Sequence, residues 1–82
     1  MEREVIENEE VRAAVRDIIR ENSDVGTIYQ LTYRPDQQLC IILENGSSLT
    51  VSGREDGLIE VRLDCPSINV HANLHFEIVD FM

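Results

Sequence analysis

The sequence contains no lysine, and its seven basic residues are all arginines. Against them stand sixteen aspartates and glutamates, which give the chain a net charge of -9. A field of this sign repels phosphate backbones, so we expect no direct nucleic-acid binding. The missing lysine itself is compatible with an arginine-rich coding bias, with adaptation to high salt, or with avoidance of lysine modification.

Long apolar runs are also missing. No stretch approaches the roughly 18 apolar residues that a membrane span needs, and the charged first 26 residues contain no apolar segment typical of a secretory signal. The sequence therefore predicts a cytoplasmic protein without membrane contact. Cys40 and Cys65 lack the Cys-x-x-Cys spacing of zinc and redox sites, and in a reducing compartment we expect them to be free thiols.

Motifs for catalysis are absent as well. No glycine-rich phosphate loop follows a predicted strand, and no serine or cysteine lies at a recognisable nucleophile elbow. His71 and His75 are the only histidines, and on one strand they would lie about 13 Å apart, too far to share a metal. We therefore predict no enzyme activity, no catalytic residue, no cofactor and no metal.

The residues that are present suffice for one hydrophobic core. A length of 82 residues suits a single domain, 1–82, and a hydrophobic fraction of 43% argues against a disordered chain. Residues 2–24 have a helical period that places Val15, Ile18 and Ile19 on one face, and acidic residues precede the arginines. This charge order suits the helix dipole, so we predict one amphipathic helix.

After Gly26 the period changes to two residues. Tyr29, Leu31 and Tyr33 alternate with other side chains, which favours a strand, and Asn45-Gly46 is a strong hairpin signal. The expected fold class is α+β, an N-terminal amphipathic helix packed on a four- to five-stranded antiparallel β-meander. Strands are predicted over residues 27–34, 38–44, 48–53, 58–64 and 68–79.

One face of this predicted sheet is polar. Its two histidines and an arginine lie among carboxylates and amides, a composition that suits protein docking better than burial. The residues that we predict to contact a partner are Glu60, Arg62, Asn69, His71, Asn73, His75 and Glu77.

These features favour a non-enzymatic protein-interaction module, a small acidic inhibitor, immunity or accessory protein of microbial or viral origin that binds a basic partner surface. In its sharpest form it would mimic nucleic acid, with carboxylates in place of phosphates. One alternative is a self-assembling structural or regulatory subunit, a homodimer formed by edge-strand pairing along the last strand, 68–79. Another is a metal or small-molecule binding domain that uses His71 and His75.

Overall fold

The computed structural model describes residues 4–82, in which two helices precede most of the sheet. This arrangement confirms the α+β class predicted from the sequence. The elements are β1 (Glu4–Val5), α1 (Glu9–Asn22), α2 (Val25–Leu31), β2 (Gln38–Ile42), β3 (Ser48–Gly53), β4 (Ile59–Cys65) and β5 (Val70–Phe76), with a first 3₁₀ turn at Pro66–Ile68 and a second at Ile78–Phe81.

Helix α1 begins later than the sequence pattern predicts. Asn8 is its N-cap, and the side-chain oxygen accepts hydrogen bonds from the backbone N–H groups two and three residues ahead, at 2.9 and 3.1 Å. These bonds satisfy donors that a helix start leaves unpaired, so the helix runs from Glu9 and not from residue 2. Residues 4–5 form β1 instead, and residues 2–3 of the predicted helix lie outside the described residues.

The strand predicted over residues 27–34 is wrong, because the chain forms helix α2 there. Asp24 accepts a hydrogen bond from the backbone N–H of Thr27 at 2.7 Å, which caps a second helix directly after α1. Ile28 and Leu31 are both buried. Residues three apart share one face of a helix but lie on opposite faces of a strand, so this burial fits only the helix.

The five strands form one sheet in the order β1-β5-β4-β3-β2. β2 to β5 pair antiparallel with their neighbours along the chain, as the predicted meander requires. β1 pairs in parallel with β5, with Glu4 opposite Ala72 and Val5 opposite Asn73. The sheet is therefore mixed, and the predicted purely antiparallel arrangement holds only for β2 to β5.

The hairpin between β2 and β3 is the one that Asn45-Gly46 predicts. Gly46 has φ +84°, a conformation that glycine adopts without strain. The side-chain oxygen of Asn45 accepts a hydrogen bond from the backbone N–H of Ser47 at 2.9 Å, which holds the turn. β2, β3 and β4 lie within two residues of the strands predicted at 38–44, 48–53 and 58–64.

The last strand is shorter than predicted and lies inside the sheet. β5 spans Val70–Phe76 and not residues 68–79. The first 3₁₀ turn precedes it and ends at Asn69 in the left-handed conformation, with φ 53°, and the second 3₁₀ turn follows it. Because β1 pairs along part of its outer side, the free edge predicted at this strand is wrong.

Both helices and the second 3₁₀ turn pack on one face of the sheet, where they share a single core with it. Phe81 of the second 3₁₀ turn packs against Phe76 of β5, with ring centroids 5.3 Å apart. Each large apolar side chain buried here stabilises the fold by about 1.5–3 kcal/mol. The largest fully buried side chains are Ile19, Ile28, Leu49, Val51, Ile59, Val61 and Leu74.

The N-cap of α2 makes the fold sensitive to acid. The backbone hydrogen bond from Thr27, followed by that from its side chain, lowers the pKa of the Asp24 carboxyl. A carboxyl with a depressed pKa stabilises the fold above its ordinary pKa of about 3.9, and this contribution is lost as the pH falls through the lowered value.

We expect Asp24→Asn to flatten the acid limb of the stability profile, because the amide oxygen still accepts from Thr27 but does not titrate. The effect is measured by the melting temperatures of the unchanged chain and of Asp24→Asn from neutral pH down to about pH 2. All other carboxyl groups are the same in both proteins, so a difference in slope is due to Asp24. An equally steep loss in the variant would contradict the assigned cause.

Candidate functional site

The face of the sheet opposite the helices is polar, and its side chains form three rows across β2 to β5. We call this surface the open sheet face. Across the four strands the rows are Gln38, Ser52, Glu60 and His75; Cys40, Thr50, Arg62 and Asn73; and Ile42, Ser48, Asp64 and His71.

A charged cluster lies at one end of this face, where the chain leaves β3. Arg54 Nε is 3.2 Å from both carboxylate oxygens of Asp56, and Arg54 Nη1 lies 2.6 Å from Nε2 of His75. Since arginine only donates, the imidazole nitrogen accepts this hydrogen bond. Glu60 Oε1 is 3.6 Å from Arg54 Nη1, so Arg54 pairs with all three of its neighbours in the cluster.

The backbone N–H of Leu58 holds the Asp56 side chain in the same turn. Leu58 donates to Asp56 Oδ1 at 3.1 Å. This hydrogen bond is the main cause that lowers the pKa of the Asp56 carboxyl, and Arg54 lowers it further. Asp56 therefore stays ionised beside the arginine.

At the other end of the face, His71 Nδ1 lies 2.7 Å from Asp64 Oδ1. Ser48 is the register partner of Asp64 on the opposite side, so serine, aspartate and histidine lie in one row. In a hydrolytic triad the histidine lies between the other two groups, because it must take the proton of the nucleophile. Here the aspartate is in the middle, and this row is not a triad.

The structure brings together five of the seven residues predicted to contact a partner. Glu60, Arg62, His71, Asn73 and His75 share the open sheet face. The remaining two lie outside the strands. Asn69 ends the first 3₁₀ turn, and Glu77 follows β5 as the N-cap of the second 3₁₀ turn, where its backbone N–H donates to Asp80.

The open sheet face carries only a small share of the excess negative charge. Its three rows contain two carboxylates, Glu60 and Asp64, and one arginine, Arg62, which leaves a net charge of -1. The rest of the net charge of -9 lies outside these rows. On α1, Glu10, Asp17 and Glu21 are all exposed and fall within about 40° of one another around the helix axis.

An apolar groove opens in the helical layer between α2 and the second 3₁₀ turn. It has a volume of about 250 Å³ and is lined by Val25, Gly26, Tyr29, Ile78 and Met82. Val25 is 44%, Tyr29 46% and Met82 77% exposed. Hydrophobic side chains of this size at the surface, next to one another, are typical of a contact site.

Acidic residues flank the groove along the chain. Asp24 precedes Val25, and Glu77 precedes Ile78; both acids are exposed. The sequence pattern does not reveal this groove, because it predicts a strand over residues 27–34 where the chain forms α2. The signal that could have revealed it is Asp24, a capping residue three positions before Thr27.

Tyr33 extends the aromatic surface beside the groove. Its ring packs against Tyr29 with centroids 5.1 Å apart, and the two hydroxyl groups form a hydrogen bond. This bond raises the pKa of the Tyr33 hydroxyl, so it stays neutral at physiological pH.

A wider depression lies beside Arg54, with a volume of about 640 Å³, and it is open to solvent. Three of its four charged groups are already engaged, since Asp56 and Glu60 both pair with Arg54, and the fourth is the exposed Glu55. Among residues 4–82 there is no group of three or more potential metal ligands, and no helix in that range is long and apolar enough to cross a membrane.

The chain matches no family model, no curated protein and no solved structure. Its function is therefore inferred from the geometry and charge of residues 4–82.

Proposed function

We propose that this chain is a non-catalytic protein-interaction module that binds a basic protein through its helical side. The observation that carries the proposal is the distribution of charge, since the open sheet face has a net charge of only -1 and the rest of the excess negative charge lies outside it. Charge of one sign on one side of a small domain speeds the encounter with an oppositely charged surface and orients it. A small inhibitor or accessory protein would act in this way.

The apolar groove supplies the binding affinity that charge alone does not provide. Interfaces typically combine a desolvated apolar centre, which provides most of the affinity, with a polar rim that provides orientation. Val25, Tyr29 and Met82 offer the centre, while Asp24 and Glu77 belong to the rim. We therefore expect a partner that inserts an apolar side chain surrounded by arginine or lysine.

The open sheet face is less suited to a basic partner. Its carboxylates already pair with side chains of the chain itself, Glu60 with Arg54 and Asp64 with His71. A basic partner would have to break these pairs before it gained its own. The seven partner contacts predicted from the sequence stay a prediction, and binding to variants of each surface separates the two possibilities.

The test is capture of binding proteins from the source cells on the immobilised full chain, with variants compared in parallel. We expect Tyr29→Ala to weaken binding of the captured partner at least tenfold, which corresponds to about 1.4 kcal/mol, because the substitution removes one wall of the groove. Asp17→Asn with Glu21→Gln should weaken binding mainly at low salt, because salt already screens these charges.

Arg62→Ala is the matched control on the open sheet face. It makes the chain one unit more negative, so a basic partner at the helical side should bind unchanged or slightly more tightly. Loss of binding in Arg62→Ala with retention in Tyr29→Ala would assign the partner to the open sheet face and would refute the proposal.

A further inference from the structure

The two edges of the sheet differ in whether the outer strand is paired. At the β5 side, β1 pairs with Ala72 and Asn73, Ile6 donates to Asn73 O at 2.8 Å, and Arg12 Nη1 donates to the carbonyl of His75 at 2.7 Å. At the opposite side, β2 has no neighbour beyond it among residues 4–82. An unpaired strand of this kind is a template for another strand.

The ladder between β2 and β3 determines which backbone groups of β2 point outward. Leu43 donates to Ser47 O at 2.8 Å, and antiparallel pairs alternate between bonded and non-bonded positions. Leu39 and Ile41 therefore bond to β3. The N–H and C=O groups of Gln38, Cys40 and Ile42 point away from the sheet.

β2 lacks the features with which proteins protect an edge. Its five side chains carry no charge, its pairing with β3 runs without a bulge, and Pro35 lies outside the strand. Ile42 is 70% exposed, and Cys40 is exposed on the same face. A charged side chain such as lysine at position 40 or 42 would disfavour pairing, and neither position carries one.

We propose that two copies of this chain pair β2 against β2, antiparallel, about a two-fold axis through Cys40. In this register Cys40 faces Cys40 of the second copy, and Gln38 faces Ile42, so all three outward-pointing residues are paired on both strands. The register is the one that uses the whole of β2, and the two sheets join into one continuous sheet. The helical side stays free for the partner proposed above.

β2 is complementary to a second copy of itself, because the two-fold register pairs all of its outward-pointing backbone groups, and the charge of the chain restricts where two copies can meet. Two chains that each carry a charge of -9 repel, so they associate best where both are uncharged and apolar, which β2 is. In the proposed register Asp36 comes opposite Glu44 of the other copy, just outside the paired segment. Salt screens this repulsion, so dimerisation should strengthen with ionic strength, whereas binding of a basic partner should weaken.

Sedimentation equilibrium of the full chain, from low micromolar to several hundred micromolar, tests the proposal. We expect a monomer–dimer equilibrium that Ile42→Lys weakens at least tenfold, because it places a charge at the paired edge. Ser48→Lys is the matched control, since Ser48 lies opposite Ile42 on the interior strand β3 and the charge change is identical. A monomer at every concentration, or equal dimerisation of Ile42→Lys, would overturn the proposal.

The register has its own test. Opposed residues in a hydrogen-bonded antiparallel pair have Cα atoms about 5.5 Å apart, within the range that a disulfide spans. Mild oxidation should cross-link Cys65→Ser, which retains Cys40, at least tenfold faster than Cys40→Ser, which retains Cys65. Equal rates would exclude this axis. Neither result depends on the binding of a basic partner, so the two proposals can fail separately.

Discussion

Replacing Gly53 with alanine should lower the free energy of unfolding by about 3 kcal/mol, the upper range for overpacking a tightly packed position. A Cβ atom at Gly53 would lie 2.0 Å from the backbone oxygen of Leu31 and 2.8 Å from its carbonyl carbon. Both atoms belong to the backbone at the end of α2, so no change of rotamer relieves the clash. The helix would have to move away from β3, and apolar contacts beneath it would be lost.

Gly26→Ala is the control for the loss of a glycine in the same region. Its Cβ would meet only the side-chain oxygen of Asp24, at 3.3 Å, and a helical position gains about 0.5–1 kcal/mol from alanine. We expect a net change within about 1 kcal/mol. Urea unfolding of the two variants measures both changes in the free energy of unfolding. Equal destabilisation would show that α2 does not pack closely against Gly53.

The second large effect is expected at Ile28, the residue that distinguishes a helix from a strand in this segment. Ile28 is fully buried, so truncation to alanine leaves a cavity and should cost about 3 kcal/mol. Tyr33 is 69% exposed, so Tyr33→Ala should change the stability by no more than about 0.5 kcal/mol.

A strand over residues 27–34 would give a different result. Tyr33 would share its face with Tyr29 and Leu31, and Ile28 would point the other way. Urea unfolding of Ile28→Ala and Tyr33→Ala therefore decides between the two secondary structures. A larger loss of stability in Tyr33→Ala would contradict the helix.

Strands β2 to β4 could be predicted because the pattern of their own residues matches the way they are buried and paired in the sheet. The alternation of side chains and the Asn45-Gly46 turn act within a few residues, and the turn brings two neighbouring segments together. The turn therefore fixes the pairing partner as well as the strands. Prediction from sequence works here because no distant contact is needed.

Helix α2 could not be predicted from periodicity alone. Tyr29, Leu31 and Tyr33 alternate as a strand would, whereas Ile28 and Leu31 have the spacing of a helix. In so short a segment the packing of Ile28 and Leu31 against the sheet decides the outcome, and the cap at Asp24 fixes where the helix starts.

The edge of the sheet could not be predicted from the sequence for a related reason. β1 is two residues long and pairs with a strand that lies more than sixty residues away, and no local pattern announces such a contact. Its presence encloses β5 and leaves β2 as the open edge. For the candidate site, composition revealed the acidic character of the chain, but only the fold showed that the open sheet face carries little of the negative charge.

The central claim is that the helical side, and not the open sheet face, meets a basic partner. A photo-cross-linking amino acid placed at Val79, which is 59% exposed beside Ile78, or at Thr50 in the open sheet face tests it in the cells that make the chain. We predict that position 79 cross-links to a protein of net positive charge and that position 50 does not. Cross-linking to such a protein from position 50 alone would contradict the account.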